Sequence, residues 1–163
     1  MKFQPLFKGL KKMKVKLQDI IDAVDFDSDL SQSFLNKKTG EVCVYSDEEL
    51  QAAENNEDLS DSPQWYREAV NRAKQYFENE NDYLPLPEKY DFNEYRVMER
   101  FIAGLPVEEQ VEILFRAIKG KGAFHRFKNT LERFALVNQW YEYKEMRLRQ
   151  FVEDWCEENN IET

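Results

Sequence analysis

After Asn93 the chain carries four apolar stripes at helical spacing, and this constrains the fold more than any other feature. Tyr95, Met98, Ile102 and Leu105 recur at three- and four-residue intervals, which places them on one face of a helix. Gly104 and Pro106 then break the pattern. Val107, Val111, Leu114, Phe115 and Ile118 make a second stripe, ended by Gly120 and Gly122. Phe124, Phe127, Leu131 and Phe134 make a third. Val137, Trp140, Tyr141, Leu148, Phe151, Val152 and Trp155 make a fourth and longer one. Helices joined by so few residues bury such stripes against each other, so this half predicts an antiparallel helical bundle. Lys144 falls inside the fourth stripe, between Trp140 and Leu148, and is expected to snorkel its ammonium to the edge.

The first half reads differently. Leu17, Ile20, Ile21 and Val24 predict a helix with Asp19, Asp22 and Asp25 facing away. Phe34–Leu35 and Val42–Tyr45 predict the arms of a β-hairpin, with Gly40 supplying the positive φ of its turn. Ser46 followed by Glu49 is a capping box, so a helix should begin at Asp47. Ser62 as N-cap and Pro63 at the first helical position open a helix with a stripe of Trp65, Ala69, Ala73 and Tyr76. Pro85 and Pro87 make the next stretch an extended connector. The fold class is therefore α+β, predominantly helical. The expected organisation is an N-terminal extension over 1–12, a helix/β-hairpin/helix subdomain over 13–54, an acidic linker over 55–62 and a helical bundle over 63–163.

Charge is unevenly placed along the chain. Residues 1–16 carry +6, residues 17–63 carry −11 and residues 119–149 carry +5 within a total of −9. An acidic chain is a poor general binder of nucleic acid, which needs clustered Lys and Arg, but the basic block is a local exception. Within the extension, Phe3, Leu6, Phe7, Leu10 and Met13 alternate with lysines, which reads as a loosely docked arm rather than a membrane anchor. It lacks the apolar stretch of a signal peptide, and no apolar run reaches a membrane span. Cys43 and Cys156 are far apart and imply no disulfide framework, so a reducing cytoplasm fits.

The stretches "KLQDIIDA", "LNKKTGEV", "LPEKYDFNEYRVMERFI", "GKGAFHRFKNTLERF", "QWYEYKE" and "EDWCEENNI" resemble an uncharacterised bacterial protein family without an assigned activity. The resemblance covers about Met13 to Ile161, and the glycine and aromatic pattern of Gly122–Leu131 is its most specific part. His125 stands where such proteins are expected to carry Arg. The resemblance implies that the core begins near Met13, and it implies no mechanism.

The remaining chemistry centres on "IKGKGAFHRFKNTLERF". It is no phosphate-binding P-loop, which needs G-x-x-x-x-G-K-[ST] after a strand. It reads first as a helix junction, with Gly120 in a left-handed cap and Gly122 allowing close packing. Lys119, Lys121, Arg126, Lys128 and Arg133 are expected to stay outside as an anion- or partner-binding surface. One histidine cannot build a His-based zinc site, and neither cysteine has a partner set, so no metal, cofactor or catalytic residue is expected. The acidic run from Asp25 fails as an EF-hand, because its sixth and twelfth positions are Leu30 and Asn36. The expectation is a non-catalytic binding or regulatory module. Its basic surface would meet an acidic protein, an anion or the chain's own acidic half. The alternative is nucleic-acid association through helix 123–135, and the third is an enzyme with an Arg/Glu-lined site.

Overall fold

The computed structural model describes residues 14–163, so the extension expected over 1–12 lies outside the described residues. The chain divides into two units: one takes the chain up to Glu88 together with Val152–Thr163, and the other is Lys89–Phe151.

The first unit is built on a three-stranded sheet. Helix α1 (Leu17–Phe26) buries Ile20, Ile21, Ala23 and Val24 and leaves its aspartates in solvent, as the spacing predicts. Strands β1 (Ser31–Asn36) and β2 (Val42–Ser46) pair antiparallel, with Leu35 opposite Val42. Their connection needs φ of +76° at Gly40, a value that glycine adopts without steric strain. The Asn36 carboxamide accepts from the backbone N–H groups of Lys38 and Thr39 and closes the turn. The Pro-containing connector expected over 81–91 is extended only in its middle, since a 3-10 turn (Glu80–Asp82) precedes it and a short helix starts at Lys89, and that middle part does more than connect. Strand β3 (Tyr83–Pro85) pairs with the other side of β1, giving the order β2-β1-β3. Pro85 has no N–H to donate, and an edge position tolerates that.

Helix α2 (Asp47–Glu54) begins with the expected capping box. Ser46 Oγ accepts from the N–H of Glu49 at 3.1 Å, and the Glu49 carboxylate accepts from the N–H of Ser46 at 3.0 Å. Ser46→Ala should therefore lower stability by about 1 kcal/mol in a urea melt, while Ser46→Asp should retain most of it. Helix α3 (Gln64–Glu78) starts one residue later than its Ser62–Pro63 signal suggests, with Pro63 itself at the cap. Its stripe is Ala69, Val70 and Ala73, and Trp65 is 68% exposed rather than inward. Leu50, Ala52 and Ala53 of α2 share one core with Val70 and Ala73 of α3, and with Phe34 and Tyr45 of the sheet. The acidic stretch 55–62 thus joins two helices of one core, and the chain divides at Glu88 instead. A backbone hydrogen bond from Val15 to Glu162 at 3.1 Å ties the C-terminal residues beside the start of α1.

The second unit is helical, as the four stripes predict. It comprises α4 (Lys89–Phe92), α5 (Glu94–Ala103), α6 (Glu108–Ala117), α7 (Ala123–Arg133) and the greater part of α8 (Val137–Glu158). Asn93 adopts a left-handed conformation and caps α5 by accepting from the N–H of Arg96. Phe101, Phe127 and Trp140 meet edge to face at the centre, with the Phe127 and Trp140 rings 4.9 Å apart. Two sequence expectations change here. Phe124 is 49% exposed, because the buried face of α7 runs through Ala123, Phe127, Thr130 and Leu131. Lys144 does not snorkel free: its ammonium sits 2.9 Å from the Glu94 carboxylate, and both side chains are mostly buried. Removing one partner leaves the other charge half-desolvated. Lys144→Met should accordingly lower stability by about 1 kcal/mol rather than be neutral, and adding Glu94→Gln should recover much of the loss.

Candidate functional site

The basic turn is built from the end of α6 upward. A helix ends with carbonyls that lack intrahelical partners, and here two side chains, Tyr95 and Arg126, satisfy them. Tyr95 donates its hydroxyl to the carbonyl of Ile118 at 2.9 Å, which keeps its ring on the flank of α5. Arg126 reaches back from the first turns of α7. Its Nε donates to the carbonyl of Ala117 at 2.8 Å, its Nη2 to that of Lys119 at 2.6 Å and its Nη1 to that of Lys121 at 2.5 Å. Three bonds from one rigid fork fix the whole α6–α7 turn. Gly122, at φ +80°, leaves room for this arrangement. A Cβ placed there would stand 3.0 Å from Nη1 of Arg126.

Arg126 therefore departs from its expected role as an outward charge, since its guanidinium is committed to the backbone. The other nominated residues stay exposed but do not converge. Lys119 and Lys121 lie in the turn, Lys128 lies midway along α7, and Arg133 is at its far end. Eleven residues of helix separate those ends by about 15 Å. The Arg133 guanidinium lies over the Phe134 ring, 5.7 Å from its centroid. Sequence reasoning missed Phe124 as a surface residue. It stands one helical turn before Lys128 and three residues after Lys121, and all three are exposed. The signal was available in Ala123 and Thr130, which complete the buried stripe without Phe124.

Burial pushes the Cys43 thiol above its ordinary value, only partly offset by its hydrogen bond to Tyr45. Burial, aided by Glu153, does the same for Cys156. Neither is an activated thiolate. Among the described residues, no three His, Cys, Asp or Glu side chains gather as a metal-ligand set.

A small antiparallel sheet packed with helices, together with a helical unit bearing a basic, Arg-stapled turn, defines a predominantly helical α+β protein. The chain belongs to the Uncharacterised protein family (UPF0158), whose profile matches residues 10–163. Over 67 residues it is 30% identical to UPF0158 protein PA5073 of Pseudomonas aeruginosa, a stretch amounting to 40% of this chain and 44% of that protein. No solved structure matches the chain. No described helix is long and apolar enough to cross a membrane.

Proposed function

We propose that this chain is a non-catalytic binding module of the cytoplasm that docks an acidic protein surface on the exposed face of α7. The observation that carries this reading is the half-exposed Phe124 ring on a helix that also exposes Lys128, with Lys121 exposed in the turn that leads into it. An exposed apolar ring on a surface that also carries cations offers a partner a contact to bury and charges to steer it. Lys119 and Arg133 are exposed as well but stand apart, Lys119 in the turn and Arg133 at the far end of α7. The surroundings agree with this, since Lys89–Phe151 holds twelve Lys and Arg against nine Asp and Glu in a chain of net charge −9. Nucleic acid fits less well. A base-reading helix uses its first turns, and the arginine placed there is turned back onto carbonyls.

The test is a photo-reactive phenylalanine analogue at position 124, irradiated in the native cell. The expected result is a discrete protein adduct that survives nuclease treatment and is lost in Lys121→Glu with Lys128→Glu. A nuclease-sensitive adduct would assign the face to nucleic acid, and the absence of any adduct would leave the face without a binding role.

A further inference from the structure

Inside the first unit, a cleft of about 300 Å³ opens where the pairing of β1 with β3 stops. That volume is at the lower end of the range of small-molecule sites. In an antiparallel pair, hydrogen-bonded and non-hydrogen-bonded positions alternate. Lys37 donates its N–H to the Asp82 carbonyl at 2.7 Å, and Leu86 donates to the Ser33 carbonyl at 3.0 Å. The odd-numbered positions of β1 therefore turn their backbone groups toward β3. The Leu86–Ser33 bond is the last between the two strands, and Pro87 and Glu88 line the cleft beyond it. Among the described residues, no bond reaches the Ser33 N–H or the Ser31 carbonyl, although both residues are half-buried in the cleft wall. Backbone groups in such a place require a partner. A donor and an acceptor two positions apart on one strand edge match the C=O and N–H of a single adjacent residue, as in a parallel ladder.

The rest of the lining narrows the chemistry. Phe34 and Tyr76, with ring centroids 4.4 Å apart, and the buried Leu86 supply apolar surface. Asp27, the residue that follows α1, and Glu88 supply exposed carboxylates. None of the described residues lining the cleft is Lys, Arg or His. This set favours an ammonium and disfavours an anion.

We propose that this cleft binds an α-amino carbonyl group with an apolar side chain, the chemistry that begins a peptide and that an amino-acid amide also carries. The Ser33 N–H donates to the carbonyl oxygen of the ligand. The ligand's ammonium donates to the Ser31 carbonyl and is drawn by Asp27 and Glu88. Its side chain rests on Phe34, Tyr76 and Leu86. The site is separate from α7 and does not depend on the function proposed for it.

The test titrates L-phenylalanine amide into the full chain labelled with nitrogen-15. The expected result is a saturable shift of the Ser33 amide signal in the millimolar range. N-acetyl-phenylalanine amide keeps the carbonyl and the ring but lacks the ammonium, and should bind about tenfold more weakly. Asp27→Asn with Glu88→Gln changes two exposed side chains and should weaken the amide about fivefold while the other signals keep their places. No saturable shift at Ser33 up to about 20 mM would overturn the proposal. Equal binding of the acetylated compound would overturn it too, and so would unchanged affinity in the double variant. The tripeptide Phe-Ala-Ala separates the two sources: binding as tight as the amide assigns the cleft to the amino end of a peptide, and exclusion of the tripeptide assigns it to a free small molecule.

Discussion

Phe127→Ala should lower folding free energy by about 3–5 kcal/mol in a denaturant melt, while Phe124→Ala should change it by less than about 0.5 kcal/mol. The two phenylalanines lie on the same helix, three residues apart, and share one apolar pattern in the sequence. Phe127 is 1% exposed and meets both Phe101 and Trp140 edge to face. Its removal opens a cavity between three helices and forfeits two aromatic contacts. The rings of Phe101 and Trp140 already touch each other at 5.4 Å, so they cannot close far into the gap. Phe124 loses only partial burial. Comparable losses at both positions would show that α7 is rotated from the face described.

The second large effect belongs to Arg126. Arg126→Ala should destabilise the chain by about 1–2 kcal/mol, because it removes the common donor of the Ala117, Lys119 and Lys121 carbonyls, the first of them part-buried. Arg126→Lys should recover little, since an ammonium cannot span three carbonyls spread around a turn. Arg133→Ala should leave the midpoint nearly unchanged, because an exposed guanidinium resting on one ring contributes little. A chain in which both arginines are removed should melt like Arg126→Ala alone. Equal, small effects at the two positions would remove Arg126 from its structural role.

These contrasts mark where the sequence was legible. Capping and turn chemistry are local, so Ser46–Glu49 and Gly40 could be read directly, and so could the four helical stripes. Stripe membership was less certain wherever a large apolar residue stood at the edge of the pattern. Periodicity weights Phe124 and Trp65 by size, whereas the fold buries the smaller Ala123, Thr130, Ala69 and Val70 instead. Long-range pairing left no local trace. Nothing near Tyr83 says that it will join β1 some fifty residues earlier, and nothing near Lys144 names Glu94. The basic block was visible as composition, but composition cannot separate an arginine that faces solvent from one that satisfies a helix end. Composition therefore groups Arg126 with the lysines, although its work is internal.

The twelve residues from Val152 onward are counted with the first unit, and Glu162 bonds to Val15 near the opposite end of the chain. The Lys89–Phe151 unit draws all its partners from one continuous stretch, and local contacts form fastest. The sheet-bearing unit is discontinuous: its C-terminal residues must find partners well over a hundred positions earlier, and closing so long a loop costs more chain entropy. The helical unit can therefore form first, while the other is completed only when the two distant parts of its sequence meet.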